Sequence, residues 1–239
     1  MRRIIINADD YGTPYAKKRT EIISDYIING IIDRGTALLT VGDPTALSVF
    51  CRDNNIMDHV GLHVAINFGK ALSDEMKNDN RFTDGDGCFK TKEYLQKHFY
   101  RIPKKDREIF YSEIDLQMKR YKELGFTNMH FDSHGHTHLF PSLYKVYARA
   151  GKANGFSSIR GPVLTRTPLR LIYNKLCINR YFNKRFAHVS TCVAFQNLNR
   201  KTVKKYKNIE LMVHLSKCDD VVYDADTIFS EELNFVQTL

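Results

Sequence analysis

Long apolar runs are missing from this chain of 239 residues. No stretch approaches the roughly 20 consecutive apolar residues that a transmembrane helix requires. The first ten residues, MRRIIINADD, contain only three isoleucines before polar residues return, so we expect no secretory signal. The sequence also shows no low-complexity tract and no repeat of roughly 20–50 residues. These absences predict a globular, cytoplasmic protein.

Cysteine is scarce and has no paired spacing. The five cysteines are an odd number, and no two of them form a C-x-x-C motif. That pattern argues against a zinc ribbon and against a disulfide framework. We therefore expect reduced thiols, in keeping with a cytoplasmic location.

Acidic residues are absent from Ser133 to Ile209, a stretch that contains 15 Lys and Arg. The rest of the chain carries a net charge of −6, so the positive charge lies in the second half. A basic half can attract nucleic acid, an anionic glycan or an anionic membrane surface. Within it, apolar and basic residues interleave over 166–207, which we interpret as a basic, partly helical insertion or lid. Such a segment is more often a solvated helix packed on its own domain, but a weak membrane-surface contact through 166–186 is a second interpretation.

Apolar strand patterns alternate with helical patterns along the chain. The first three units are about 25–30 residues long, the period of a (β/α) barrel or of a doubly wound sheet. Length and 43% hydrophobic content suit a single domain over 1–239. The polar stretch Asn67–Cys88 is predicted to be a long loop. The predicted strands are Arg3–Asn7, Thr36–Val41, His59–Val64, Thr127–Asp132, Ser157–Arg160 and Ile209–Leu215. The predicted helices are Tyr15–Gly30, Asp43–Asn54, Thr91–Phe99, Asp106–Leu124, Ser142–Asn154 and Ile228–Leu239.

The most unusual segment is His130–Pro141, which reads HFDSHGHTHLFP and holds four of the nine histidines. In an extended backbone, alternate residues point to the same face of the strand. Five polar residues would then share one face: His130, Asp132, His134, His136 and His138. Imidazole nitrogens and carboxylate oxygens suit Zn²⁺, Mn²⁺ and similar ions, so the pattern favours a metal site over a polar loop that is rich in histidine by chance.

Other polar residues follow apolar runs in the same way. Asp9 and Asp10 follow the first predicted strand, His63 lies near the end of the third, and His214 near the end of the last. Polar groups at the carboxyl ends of barrel strands meet on one rim. Adjacent carboxylates repel each other, which suits a division between one metal ligand and one general base. The alternative for the aspartate pair is a surface turn or a helix N-cap.

Four motifs, in this order, resemble those of the YdjC/ChbG carbohydrate deacetylase family. They are NADDYG at Asn7–Gly12, VGLHV at Val60–Val64, HFDSHGHTHLFP at His130–Pro141 and IELMVH at Ile209–His214. The resemblance implies a variant (β/α) TIM-like barrel of mostly parallel strands with outer helices. It also implies a hydrolase that uses Mg²⁺ or Zn²⁺ to remove the acetyl group from an N-acetylated sugar or oligosaccharide.

The same resemblance implies roles for individual residues. Asp10, His63 and His134 match the metal ligands, Asp9 matches the general base, and His214 matches the group that protonates the leaving amine or stabilises the oxyanion. The roles of the two aspartates could be exchanged.

The remaining residues of the histidine segment receive supporting roles. His136 and His138 match positions that bind substrate or support the ligands, Asp132 is expected to orient a neighbour, and His130 to be packed. The family commonly has Pro after the last histidine, where this chain has Leu215.

Two rival functions use other features of the sequence. A phosphoesterase on the same scaffold, acting on a phosphorylated or lipid-linked glycan, would exploit the basic half, but no phosphate-binding loop is present. A binder of polyanions without enzymatic activity would have no use for the Asp and His set, and no nucleic-acid module is recognisable. The expected partner is therefore an N-acetylated sugar, and a homodimer is compatible with the sequence.

Overall fold

Seven parallel strands close into a barrel in the computed structural model of this protein, which describes residues 3–14, 17–98, 101–163, 172–194, 198–206, 208–219, 221–225 and 227–237. Each strand pairs with its neighbour in chain order, and β7 pairs with β1 to close the ring. The predicted TIM-like barrel is thereby confirmed. The strands are β1 (Arg3–Tyr11), β2 (Arg34–Ala37), β3 (Val60–Val64), β4 (His130–Ser133), β5 (Ser158–Val163), β6 (His188–Ala194) and β7 (Asn208–Val213).

Helices connect the strands on the outside of the barrel. The α-helices described before β5 are α1 (Lys17–Ile28), α2 (Pro44–Asp53), α3 (Asp74–Lys77), α4 (Thr91–Lys97), α5 (Lys104–Glu123) and α6 (Tyr144–Ala153). After β5 come a π-helix (Asn174–Asn179), α7 (Arg180–Asn183), α8 (Arg200–Lys205) and α9 (Phe229–Gln237). None of the described helices is both long and apolar enough to cross a membrane.

Local sequence signals account well for the helix ends. Asp43 caps α2, because its carboxylate accepts hydrogen bonds from the backbone N–H groups of Thr45 and Ala46, each at 3.0 Å. Pro44 follows at the first helical position, where a missing N–H costs nothing. Gly125, with a φ of 87°, follows the end of α5. These helices lie close to their predicted bounds for that reason.

The extended backbone that would place the five polar residues of the histidine segment on one face ends with β4 at Ser133. The backbone turns there into a 3₁₀ segment, His134–Leu139, in which Gly135 and His136 have φ angles of 62° and 55°. The Ser133 hydroxyl accepts the backbone N–H of His138 at 2.9 Å and stabilises the turn. The histidines therefore do not share one face, and each takes its own direction from the turn.

The stretch 166–207 contains a barrel strand that the sequence analysis did not predict. Residues 164–171 lie outside the described residues, and the π-helix with α7 follows them. β6 then pairs with β5 and β7, so this part of the stretch forms the wall of the barrel. Basic residues surround β6 in sequence and hide its short apolar pattern.

The end of the chain also differs from the expectation of one strand and one helix. After β7, three short antiparallel strands form a separate sheet: β8 (Leu215–Cys218), β9 (Val221–Asp224) and β10 (Thr227–Ile228). β2 is likewise displaced from the predicted Thr36–Val41 to Arg34–Ala37, because that segment pairs with both β1 and β3.

Apolar side chains fill the space between the barrel and its helices, whereas the barrel interior is polar. Along β1, buried Ile6 and Ala8 belong to the apolar core and alternate with buried Asn7 and Asp9, which take part in the polar network of the interior. A charged interior needs internal partners, because buried charges are costly when unpaired. This requirement shapes the site described below.

The close approach of β5 and β6 gives a test of the barrel. A Cβ atom at Gly161 would lie 2.0 Å from the carbonyl oxygen of Ser190. We expect Gly161→Ala to lower the free energy of unfolding by about 1–3 kcal/mol in urea titrations, since the strands must separate. Gly85→Ala is the control, because no atom lies within 4 Å of its Cβ position. Equal stability of both variants would contradict the strand pairing.

Candidate functional site

Arg160 lies at the centre of the barrel interior and contacts three carboxylates. Its Nη1 and Nη2 atoms donate to the two carboxylate oxygens of Asp9 at 2.7 and 2.6 Å. Nη2 also lies 2.6 Å from Oδ2 of Asp132, and Nε donates to Oε1 of Glu210 at 2.6 Å. All four side chains are buried. One guanidinium from β5 thereby joins β1, β4 and β7.

This pairing controls the charges of the carboxylates. Burial alone would raise the pKa of Asp9, but the charge and hydrogen bonds of Arg160 outweigh burial and hold it well below its usual range. The pKa of Glu210 is lowered in the same way by Arg160 and Arg34, again against burial. Both groups are therefore ionised at neutral pH.

A second arginine completes the network. Arg34, at the start of β2, lies 2.7 Å from Glu210 and donates from Nε to Oδ1 of Asn7 at 2.7 Å. Asn7 in turn donates to Oδ1 of Asp9 at 2.7 Å. Asp9 is therefore held by donors from two directions.

His63, at the end of β3, faces two carboxylates. Its Nδ1 atom lies 2.5 Å from Oδ1 of Asp132, and its Nε2 atom lies 3.4 Å from Oδ1 of Asp10. Burial would lower the pKa of His63, but Asp132, Asp9 and Asp10 raise it to about 10. Asp132 therefore orients an imidazole, as expected for it. That carboxylate–histidine arrangement is common behind metal-binding histidines.

Asp10 owes its direction to an irregular end of β1. Its φ angle is 63°, and the pairing of β1 with β2 shifts register between Ala8 and Tyr11. Such a bulge re-aims side chains at a strand end. Arg19 of α1 donates to Oδ2 of Asp10 at 3.2 Å, while Oδ1 is buried and accepts no hydrogen bond.

His134 begins the 3₁₀ turn after β4. Its Nδ1 atom lies 3.1 Å from Oδ1 of Asn67, and its ring stacks on Phe68 with 4.9 Å between centroids. Because the amide oxygen can only accept, Nδ1 carries the proton. Burial and the charge of His63 lower the pKa of His134, so the imidazole is neutral at neutral pH. A neutral imidazole is the form that binds metal.

His214 follows β7 directly and is more exposed than the other site residues. Its side chain is 41% exposed, and Nε2 lies 4.0 Å from Oδ2 of Asp9. Its backbone N–H donates to Oδ1 of Asp224 at 2.7 Å. Leu215 begins β8, and its carbonyl accepts a hydrogen bond from Nε of Arg19 at 2.8 Å.

The other histidines of the segment are neutral; His130 and His138 are buried, and His136 is half-buried. Burial and the nearby charge of Arg160 lower the pKa of His136 to about 3, and its Nδ1 atom has no hydrogen-bond partner. His138 contacts the Ser133 hydroxyl at 2.6 Å and the Arg160 carbonyl at 3.1 Å. His130 contacts the Ser158 hydroxyl at 2.8 Å, in line with the expected packing role.

Acidic and histidine groups at this site could bind a divalent metal ion. Among the described residues, two sets have ligand atoms within 4.8 Å of one another: Asp9 with His63 and Asp132, and His130 with Asp132 and Glu210. Arg160 already forms ion pairs with the three carboxylates of these sets.

The set predicted from the sequence is less compact. Asp10 and His63 approach to 3.4 Å, and the rings of His63 and His134 lie 5.9 Å apart. Yet Oδ1 of Asp10 is buried, forms no hydrogen bond of regular geometry, and faces Nε2 of His63 at 3.4 Å. A carboxylate oxygen and two imidazoles form a donor set that fits a divalent cation.

Sequence analysis missed the arginines that organise this site. Arg160 was assigned only to a strand, and Arg34 and Arg19 were not singled out. The usable signal was a charged residue inside a strand, as with Arg160 in SSIR and Glu210 in IELMVH. Two opposite charges at interior strand positions of a barrel predict an ion pair, because neither can be buried alone.

The central arginine gives a prediction about stability. Arg160→Met leaves buried carboxylates without their cation, so we expect the free energy of unfolding to fall by about 3–5 kcal/mol in urea titrations at pH 7. Arg149→Met is the control, since Arg149 and Glu108 form an exposed pair. That control should lose about 1 kcal/mol or less. A loss of that size for Arg160→Met would refute the role of Arg160 as the central ion pair.

Asp224, which accepts the backbone N–H of His214, and Glu232 form a carboxyl pair that predicts how stability depends on pH. Burial and the nearby charge of Asp224 raise the pKa of Glu232 to about 8. Between about pH 4.5 and 8 the folded protein therefore binds more protons than the unfolded chain, and stability falls as pH rises. We expect Glu232→Gln to remove this fall and to be more stable than the wild type at pH 9, by roughly 1–2 kcal/mol, in urea titrations at pH 5, 7 and 9.

Glu231→Gln, at an exposed position of the same helix, is the matched control and should leave the pH dependence unchanged. Parallel pH curves for the wild type and Glu232→Gln would contradict the buried carboxyl pair.

Comparison with known proteins places this chain in a family. The YdjC-like protein family matches residues 3–236. A chitooligosaccharide deacetylase of Citrobacter koseri is 26% identical over 230 residues, covering 92% of this chain and 84% of that protein. A solved structure of a protein named for cellobiose-phosphate cleavage, from Enterococcus faecalis V583, superposes with a TM-score of 0.68 at 20% identity, covering 91% of this chain and 82% of the other. The chain therefore belongs to the YdjC-like protein family.

Proposed function

We propose that this protein removes the N-acetyl group from an N-acetylated sugar or oligosaccharide, with release of acetate. The observation that carries the proposal is the ionised carboxylate of Asp9 beside the pair of Asp10 and His63, with the imidazole of His214 at 4.0 Å. A base, a ligand pair and a proton donor are the groups that amide hydrolysis requires. The family and the name of the relative from Citrobacter koseri support the sugar substrate.

Asp9 would take a proton from the attacking water. Arg160 and Asn7 keep this carboxylate ionised and fix its direction, as the hydrogen bonds to both of its oxygens indicate. Both also make Asp9 a weaker base, because they stabilise its charged form. Arg160 and Asn7 thus fix the orientation of the Asp9 carboxylate and lower its basicity.

His214 would give a proton to the departing amine. Its half-exposed side chain follows β7 and lies 4.0 Å from the buried carboxylate of Asp9. Asp224 holds the backbone of His214, so the imidazole starts from a defined position. The exchange of one proton between Asp9 and His214 would restore the starting state after each turnover.

Asp10, His63 and His134 would hold Mg²⁺ or Zn²⁺. Such an ion, when bound, acidifies a water molecule and polarises the acetyl carbonyl. His63 must first lose the proton that Asp132, Asp9 and Asp10 stabilise on it. Asp132 then fixes the ring through Nδ1 and leaves Nε2 to face Asp10.

Acetate release tests the proposal. We expect the wild type to release acetate from N-acetylglucosamine or its oligosaccharides with added Mg²⁺ or Zn²⁺. Asp9→Asn should lower kcat by about 10²–10⁴-fold with unchanged metal content, because it removes the base and leaves the ligands. His134→Ala should lower both metal content and turnover.

The control is Asp53→Asn, an equivalent change at an exposed position at the end of α2. Full turnover by Asp9→Asn with unchanged metal content would remove Asp9 as the base. No acetate from any substrate would overturn the proposed activity.

A further inference from the structure

The loop after β3, residues 65–73, carries the two side chains that touch His134. The amide oxygen of Asn67 accepts a hydrogen bond from Nδ1 of His134 at 3.1 Å. The ring of Phe68 stacks on the imidazole, with 4.9 Å between centroids and 21° between planes. The position of this β3 loop therefore determines where the imidazole of His134 lies.

Helix α5 holds both ends of the β3 loop. At the first end, Gln117 pairs with both backbone groups of Ala65: the N–H donates to Oε1 at 3.0 Å, and Nε2 donates to the carbonyl at 2.6 Å. At the second end, Glu113 accepts the backbone N–H groups of Leu72 at 3.0 Å and Ser73 at 2.7 Å. Asn67 and Phe68 lie between these two attachment points.

Glu113 and Gln117 also contact each other. They are four residues apart on α5, so they share one face of the helix, and Nε2 of Gln117 donates to Oε1 of Glu113 at 2.7 Å. Both side chains are fully buried. In the part of the chain that the structure describes, no basic side chain pairs with Glu113, and its oxygens are occupied by N–H donors instead.

Packing alone does not explain this pair. A buried carboxylate carries a desolvation cost that a leucine at the same position would avoid. The hydrogen bonds formed in return go to backbone groups of the β3 loop, apart from the one between the two side chains. They fix the two ends of a loop that Thr40 holds in the middle, where its hydroxyl donates to the Phe68 carbonyl at 2.9 Å and its carbonyl accepts the backbone N–H of Lys70 at 2.7 Å.

We infer that Glu113 and Gln117 are positioning residues for His134, acting through the β3 loop. Gln117 fixes the loop where it leaves β3, two residues after His63, and Glu113 fixes it where it reaches Ser73. Asn67 and Phe68 then set the direction of the His134 imidazole relative to His63. The inference rests on the proposed function in one respect, because it takes His63 and His134 to be metal ligands.

Metal affinity tests the inference without depending on turnover. We would measure Zn²⁺ binding by competition with a chromophoric chelator, and the absorption spectrum of the Co²⁺-loaded protein, for Glu113→Gln and Gln117→Met. Gln117→Met keeps size and charge, so it covers the case in which Glu113→Gln folds poorly. Both variants should bind Zn²⁺ about 10–100-fold more weakly than the wild type, because residues behind metal ligands have effects of that size. The Co²⁺ spectrum should change as well, because the ligand geometry is altered.

The matched control is Met118→Ala, a fully buried apolar position on the same helix. It should lower the free energy of unfolding by about 2–5 kcal/mol and leave Zn²⁺ affinity and the Co²⁺ spectrum unchanged. A loss of metal affinity in Met118→Ala equal to that in Gln117→Met would mean that α5 acts only through general stability, and would overturn the inference.

His134→Ala separates the two levels of the argument. Weak Zn²⁺ binding by His134→Ala, together with wild-type binding by Glu113→Gln and Gln117→Met, would overturn the positioning role and leave the proposed metal site intact. Equal Zn²⁺ binding by the wild type and His134→Ala would instead overturn the metal site and, with it, this inference. Weak binding by all three variants, with a normal Met118→Ala, is the expected result.

Discussion

The interaction on which the rest of the site depends is the contact of Arg160 with Asp9, Asp132 and Glu210 inside the barrel. Three carboxylates at this depth would repel one another and lose their hydration without a cation among them. With Arg160 in place, Asp9 is charged and held at both oxygens, and Asp132 is available to orient His63. The barrel interior thus serves as the support of the site as well as the centre of the fold. The polar interior requires apolar packing elsewhere, which the outer helices provide.

Irregular backbone at the ends of β1 and β4 sets the directions of the side chains at the site. The bulge at the end of β1 separates two adjacent carboxylates, so Asp9 contacts Arg160 and Asp10 contacts His63 and Arg19. The 3₁₀ turn after β4 does the same for the histidines. In a regular strand, neighbouring side chains point to opposite faces of the sheet. The irregular backbone lets neighbouring side chains point in other directions.

The sequence supported a good part of this picture. Period and turn signals placed α2 and α5 nearly at their true bounds, and the polar residues Asp9, His63 and His214 at strand ends indicated one rim. The hydrophobic period predicted the wrong bounds, or no strand, where pairing between distant strands determines the structure. β6 was missed because basic residues surround its short apolar run, and β2 was displaced because its bounds are set by pairing with β1 and β3. The turn at Gly135 and His136 overrode the alternation that predicted one face of imidazoles.

The sequence by itself determined the class of fold, the family through its four motifs, and the residue types that converge on one end of the barrel. Only the tertiary structure decided how the charges are shared. Whether a carboxylate meets a cation, an imidazole or no partner depends on distances between strands that are far apart in sequence, as with Asp9 and Arg160. The hydrogen bonds of Glu113 and Gln117 to the β3 loop could not be predicted from the sequence either. A polar residue in a helix is expected to face solvent unless its neighbours in the fold are known. Secondary-structure propensity and residue spacing depend on a few neighbouring residues, whereas burial and the pairing of charges depend on the folded chain.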